Sequence, residues 1–211
     1  DGGVAIFPVS VGYAIVGHSE DAIQRAYRVK QRSFEKPCGN FGDWDLFNEM
    51  LICSDDAREM VRVITQGHDL PFSVVAPFHR DHPVVQSMPP FTINNATKAG
   101  TMDLLINAGP LHNEIARLAR ENSFCVSGSS ANVSLTGSKF RLEDVQAQVR
   151  DAADVEIDYG LVPFPNPDGL GSTIVDLTNF RTIRVGCVYD KLAGIILAEC
   201  GIDLTGIMAA D

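Results

Sequence analysis

Short apolar runs alternate along this chain with stretches of helical periodicity, and that alternation limits the fold more than any other feature. VAIF (4–7), MLIC (50–53), FSVVA (72–76), MDLLI (102–106) and FCV (124–126) read as buried strands. STIVDL (172–177) and TIRVGCV (182–188) follow, with TNF as the turn between them. Residues 20–30 place Ala22, Ile23, Ala26 and Tyr27 on one helical face, with Ser19 as N-cap and Glu20 and Asp21 suited to the positive end of the dipole. Residues 55–66 carry a second stripe of Ala57, Met60, Val61 and Ile64. Residues 112–121, 142–150 and 190–200 read as helices too, the last closed by Gly201. Interleaved strands and helices predict an α/β fold, and 211 residues suit one large domain or at most two small ones.

Charge narrows the partners. Seventeen basic against 27 acidic residues give a net charge of −10, a field that repels DNA, bulk RNA and anionic membranes but leaves room for a local basic cleft holding a small anion. The five cysteines are scattered singly without a CxxC spacing, which suits unpaired thiols in a reducing cytoplasm. No apolar run approaches the roughly 20 residues that a bilayer-spanning helix needs. Oligomeric state is not readable from the chain.

Two constellations could hold an anion. In YRVKQRSFEKP, Arg28, Lys30, Arg32 and Lys36 gather around a helix end, and in an extended exit segment Lys30 and Arg32 would share a face. The plain alternative is a basic last turn that complements the helix dipole. In SGSSAN (127–132), backbone N–H groups, the Ser130 hydroxyl and the Asn132 amide are neutral donors fit for an anion, or else parts of a solvated loop with Ser and Asx turns. No GKS or GKT follows a glycine-rich loop, no GxGxxG occurs, and the GxSxG elbow of a hydrolase is missing. HRDH (79–82) offers two histidines to a metal with no third ligand signalled nearby, so no metal site is expected on the protein. Ser172 and Thr173 head a strand, where hydroxyls are also commonplace. GLVPFPNPDGLG (160–171) has the composition of a mobile lid.

Taken in order, four blocks resemble the YrdC-like family, whose best-known members are threonylcarbamoyl-AMP synthases. GGVAIFPVSVGYAI is similar to the family's opening GG and PTDTVYGL, HSEDAIQRAYRVKQRSFEKP to its K-x-R and KP segment, SGSSANVSLTG to its SAN-x-SG loop, and GSTIVDLTNFRTIRVG to its EST and R-x-G ending. The resemblance spans about residues 2–188. It implies a single domain over residues 1–211, without an additional C-terminal domain, in which a twisted mixed β-sheet flanked by helices surrounds a concave nucleotide-binding cleft. It also implies a cytoplasmic nucleotidyltransferase that uses ATP, bicarbonate and L-threonine, with Mg2+ carried by the nucleotide, to make a threonylcarbamoyl adenylate for tRNA modification with release of pyrophosphate. Lys30 and Arg32 fall on the family's catalytic cations. Lys36, Ser130, Asn132, Ser172, Thr173 and Arg184 fall on its phosphate side, and Pro8, Val9, Val11 and Tyr13 on its substrate pocket.

The chain departs from the pattern at the acceptor end. Where the family has PTDT this chain has PVSV, so Val9 and Val11 stand for threonines and Ser10 for aspartate, a change that leans toward the YciO-type branch. A site that hydrogen-bonded those hydroxyls would lose its partners. Asn107 occupies an arginine position, Gly171 a glutamate position, and LPFSVV stands for WPGP-x-T. Two other readings therefore stay open. One is a divergent enzyme that carbamoylates another amine or small molecule; the other is a non-catalytic nucleotide- or RNA-binding protein. Tyr13 either touches substrate or packs in the core.

Overall fold

Side chains placed just ahead of apolar stripes start three of the helices. Ser19, Asp43 and Ser54 each accept a hydrogen bond from the backbone N–H three residues on, and each helix carries acidic residues in its first turn. The computed structural model describes residues 2–33 and 36–204. In chain order the elements are β1 (Ala5–Val9), β2 (Gly12–Gly17), α1 (Glu20–Val29), β3 (Gly39–Gly42), α2 (Trp44–Met50) and α3 (Asp55–Arg62). Next come β4 (Phe72–Pro77), α4 (Pro83–Gln86), α5 (Pro90–Ala96), β5 (Thr97–Lys98), β6 (Thr101–Ile106), α6 (Pro110–Glu121) and β7 (Ser127–Ser130). The last are α7 (Ala147–Arg150), β8 (Val155–Glu156), β9 (Ile174–Asp176), β10 (Arg181–Arg184) and α8 (Tyr189–Cys200).

The strands form one mixed sheet in the order β10-β9-β4-β6-β3-β7-β2-β1-β8, with β5 paired to β6 off that path. Parallel pairs (β3 with β6, β4 with β9, β1 with β8) sit among antiparallel ones. The period of two sorts the side chains between faces. Met102, Leu104 and Ile106 of β6 join Val74, Val175, Met60 and Leu192 in the largest core cluster, under α2, α3 and α8. On the opposite face Phe7, Val9, Ala14, Val16 and Phe41 pack against Ala116 and Ala119 of α6. Helix α1 joins two clusters, with Ile23 and Tyr27 in one and Ala22 and Ala26 in another. The α/β expectation of a mixed sheet flanked by helices holds.

Several boundaries moved. MLIC is not a strand: α2 runs through Met50, and Leu51 makes only an isolated bridge to Phe78. FCV precedes its strand, and β7 is built from SGSS, the residues whose composition suggests a loop. Gly128 explains that placement, because a Cβ there would stand 2.4 Å from the Ile15 carbonyl oxygen and 2.7 Å from Val16 Cγ1. The strand can lie between β2 and β3 only with a glycine at this position. The 142–150 helix is two short pieces, a 3-10 turn at Leu142–Asp144 and the single turn of α7. The 160–171 segment is strapped down: Val162 N–H donates to Phe140 O, Phe164 N–H to Ser10 O, and its Gly169 carbonyl accepts from Ser138 N–H at 2.8 Å.

Candidate functional site

Helix α1 ends in a tight reversal that throws its last basic residues inward. Gln31 takes φ 51°, Gln31 N–H donates to Arg28 O, and Arg32 N–H reaches back to Tyr27 O. The turn, rather than strand alternation, brings Lys30 and Arg32 to one place. Lys30 is 2% exposed. Its ammonium donates to the carbonyl oxygens of Ser130 and Asn132, the latter at 2.7 Å, and lies 3.4 Å from Asn132 Oδ1. Burial, helped by the neighbouring charge of Arg32, pulls this ammonium down to about 7. Arg32 Nη2 donates to Pro37 O at 2.6 Å, its guanidinium lies over the Tyr27 ring, and its buried Nε has no hydrogen-bond partner among the described residues.

The third cation comes from the far end of the sheet. Arg184, the last residue of β10, turns back with Nε and Nη2 on Ser172 O at 3.0 and 2.8 Å, and Nη2 is 2.9 Å from Ser172 Oγ. Ser73 on β4 donates its hydroxyl to the same Ser172 Oγ at 3.0 Å. Arg184 is accessible to solvent, yet protein surrounds it closely enough that burial pulls its pKa below the usual range. The charges of Lys30, Arg32 and Arg184 reach one another in series, Arg32 acting on both of the others. Among the described residues none of the three takes part in an ion pair. Three basic side chains within electrostatic reach of one another, on a chain of net charge −10, concentrate positive charge locally.

The remaining expected residues fall in different surroundings. Ser130 ends β7 half-buried beside this group. Asn132 is 5% exposed, and its Nδ2 donates to Val133 O at 2.6 Å, so in this state its side chain braces the loop that holds Lys30. The Ser172 hydroxyl meets Arg184 and Ser73, whereas Thr173, one residue on, turns into the protein: its hydroxyl donates to Cys187 O at 3.1 Å and accepts from Gly186 N–H. Lys36 is exposed, and its carbonyl oxygen accepts from Tyr27 Oη at 2.7 Å. Pro8 pairs with Tyr13 across the β1–β2 hairpin. Val9 and Val11 are buried in the cluster that contains Cys187, with half-buried Phe140 and Phe164 against it. Tyr13 is 1% exposed, with its hydroxyl on Asp158 Oδ1 at 2.5 Å and on Gly160 O at 2.9 Å. Burial and the Asp158 carboxylate push that phenol up to about 12. It is a packed, tethered side chain.

Elsewhere, His82 caps α4 by accepting from Val84 N–H and faces Glu49 at 3.5 Å. No group of three or more His, Cys, Asp or Glu side chains assembles among the described residues. An open cavity of about 620 Å³ lies along the 135–140 and 166–169 segments, and none of the three cations lines it. Two residues beside Arg184 and Ser172 escape motif reading: Ser73 and Asp103, both in strands. Asp103 was visible as the lone acid in the otherwise apolar run MDLLI.

Known proteins share this fold. The family model described as Sua5/YciO/YrdC, telomere recombination, matches residues 1–186. The structure of P. abyssi Sua5 complexed with L-threonine superposes with a TM-score of 0.66 at 18% identity, covering 87% of this chain and 50% of that one. The chain thus spans about half the length of that relative. A hypothetical protein of Streptococcus mutans UA159 gives a TM-score of 0.76 at 16% identity, over 100% of this chain and 91% of the other. E. coli YciO gives 0.65 at 15% identity, over 88% and 83%. At these identities the likeness is one of fold. No curated protein sequence matches the chain.

Proposed function

Because the chain belongs to the Sua5/YciO/YrdC family, we propose that it is a nucleotidyltransferase that condenses ATP, bicarbonate and an amine into a carbamoyl adenylate with release of pyrophosphate. L-Threonine is the leading acceptor, and the product is then a threonylcarbamoyl adenylate for tRNA modification. The observation that carries the reading is the electrostatic reach of Arg32 to both Lys30 and Arg184, with none of the three in an ion pair among the described residues. A triphosphate is the kind of ligand such a group neutralises. The Ser172 and Ser130 hydroxyls are neutral donors beside it. The P. abyssi relative, described as complexed with L-threonine, supports an amino acid as co-substrate.

In this reading the protein supplies no nucleophile. Lys30, Arg32 and Arg184 hold the phosphates and stabilise the charge that develops on the departing pyrophosphate, and positioning does the rest. Mg2+ arrives with the nucleotide and draws on few protein ligands. Asn132 and Thr173 act from behind: Asn132 fixes Lys30, and Thr173 fixes the strand end that presents Ser172.

A second reading, an acceptor other than threonine, is favoured by Val9 and Val11. They are 6% and 5% exposed and offer no hydroxyl to a threonine side chain. One assay tests both. The protein is incubated with ATP, Mg2+, bicarbonate and a panel of amines, and the phosphorus product and adenylate are identified by mass. Pyrophosphate release dependent on L-threonine supports the first reading, and dependence on another amine the second. ATP binding without turnover under any amine refutes both.

A further inference from the structure

We propose that Asp103 is the specificity-determining residue that receives the amino group of the amine co-substrate. The inference rests on the reading above for its reaction and on independent geometry for its site. Asp103 stands on β6 on the face opposite the large core, because Met102 and Leu104 on either side of it point into that core. Its carboxylate lies against the bare Cα of Gly39, where a Cβ would stand 3.1 Å from Oδ2. Oδ1 is buried without a hydrogen-bond partner. No hydrogen bond or ion pair with a described residue reaches the carboxylate.

That isolation needs a reason, since an uncompensated carboxylate in a desolvated place is costly. The cations of the group described above do not supply it. Lys30 is held by the Ser130 and Asn132 carbonyls, Arg32 by Pro37 O, and Arg184 by Ser172. Arg184 acts on Asp103 only through space. The site therefore has a cationic wall and one carboxylate that the protein leaves uncapped. A ligand that completes both brings anionic groups and an ammonium together, as a nucleoside triphosphate and an amino acid do.

The same carboxylate suits the chemistry. An ammonium has no lone pair and must lose a proton before its nitrogen attacks. Burial raises the Asp103 carboxyl to about 6, against the opposing charge of Arg184, so it is a better proton acceptor than an ordinary aspartate. The ammonium gives H+ to the carboxylate, leaving a neutral amine and a carboxylic acid. The amine then adds to bicarbonate to give a carbamate and water, and a carbamate oxygen displaces pyrophosphate from the α-phosphorus.

The test measures binding of the amine without nucleotide. Wild type and Asp103→Asn are titrated calorimetrically with L-threonine, L-serine, L-lysine and glycine, and with 2,3-dihydroxybutanoate, which carries a hydroxyl where threonine has its amino group. Wild type should bind at least one amino acid, and the loss of affinity in Asp103→Asn should be about tenfold or more, with ATP affinity kept within about twofold. If L-threonine is the one bound, the deamino analogue should bind wild type and Asp103→Asn alike. Amine affinity unchanged in Asp103→Asn overturns the inference, as does a defect confined to Mg2+-dependent ATP binding, or wild type that binds none of the four amino acids. Failure of the proposed reaction shows separately, as wild type that binds an amine but releases no pyrophosphate.

Discussion

Lys30 Nζ donates to the Asn132 carbonyl oxygen across 2.7 Å, tying the end of the first helix to a loop 102 residues further along the chain. The Ser130 carbonyl accepts from the same ammonium. A cation expected to grip an anion is therefore also a clasp that shapes the wall around it.

Replacing Lys30 by Met keeps the length of the stem and removes the clasp. The carbonyls of Ser130 and Asn132 lose a buried donor, at about 1–3 kcal/mol of stability. Pyrophosphate release should fall more than about 100-fold, since charge neutralisation and loop geometry are lost together. Urea unfolding and a phosphate-product assay on the same preparation check both effects. Unchanged stability would mean that the contacts do not hold the loop.

The Lys30 ammonium also sets a pH dependence. Its pKa in the unoccupied protein is about 7, so above that value the neutral amine prevails. A bound triphosphate favours the charged form and raises the pKa, so binding takes up a proton. ATP affinity should therefore fall as pH rises from 7 toward 9, with uptake approaching one proton near the upper end. Calorimetry in two buffers of different ionisation heat measures the uptake directly. An affinity flat over this range would contradict it.

Residues whose role is local were legible in the sequence. Ser19, the α1 stripe and the Lys30–Arg32 spacing all depend on neighbours a turn away. What escaped depends on distant chain. SGSS has poor strand propensity, and it becomes a strand because Ile15 and Val16 press against Gly128. MLIC is too short for periodicity to separate a helix end from a strand. The signal that settled it was Asp43, which caps the helix seven residues earlier. Asp103 stood in view as an acid in an apolar strand, but only the sheet shows that it faces away from the large core and within reach of the Arg184 charge.

Gly128 gives the sharpest packing test. A methyl group there meets the Ile15 carbonyl oxygen and Val16 before any rotamer can relieve it, because two of the three nearest atoms are backbone. Gly128→Ala should lose about 1–3 kcal/mol, and ATP affinity with it, since β7 carries Ser130. Gly194 is the control: it lies within α8, and a Cβ there meets nothing within 4 Å. Gly194→Ala should gain up to about 1 kcal/mol. Thermal melts of the two variants should move in opposite directions, and a Gly128→Ala melt at the wild-type temperature would contradict the tight approach.

His112 ties stability to acid pH. It is wholly buried, its ring centroid is 4.4 Å from that of Phe41, and Nε2 has no partner. Burial pulls its pKa down to about 4, against the ordinary 6.5 that the unfolded chain keeps. Between those values the unfolded state binds the extra proton, so stability is intact above about 6.5 and is lost as pH falls toward 4. Asp103 works the other way. With its pKa raised to about 6, the folded state holds the extra proton between there and the usual 3.8, and stability gains as pH falls through that window. Comparing wild type with His112→Leu cancels the Asp103 contribution and isolates the histidine. Between pH 7 and pH 4.5, wild type should lose roughly 2 kcal/mol more than the variant in urea unfolding. Equal losses would mean that the imidazole takes up its proton without leaving the core.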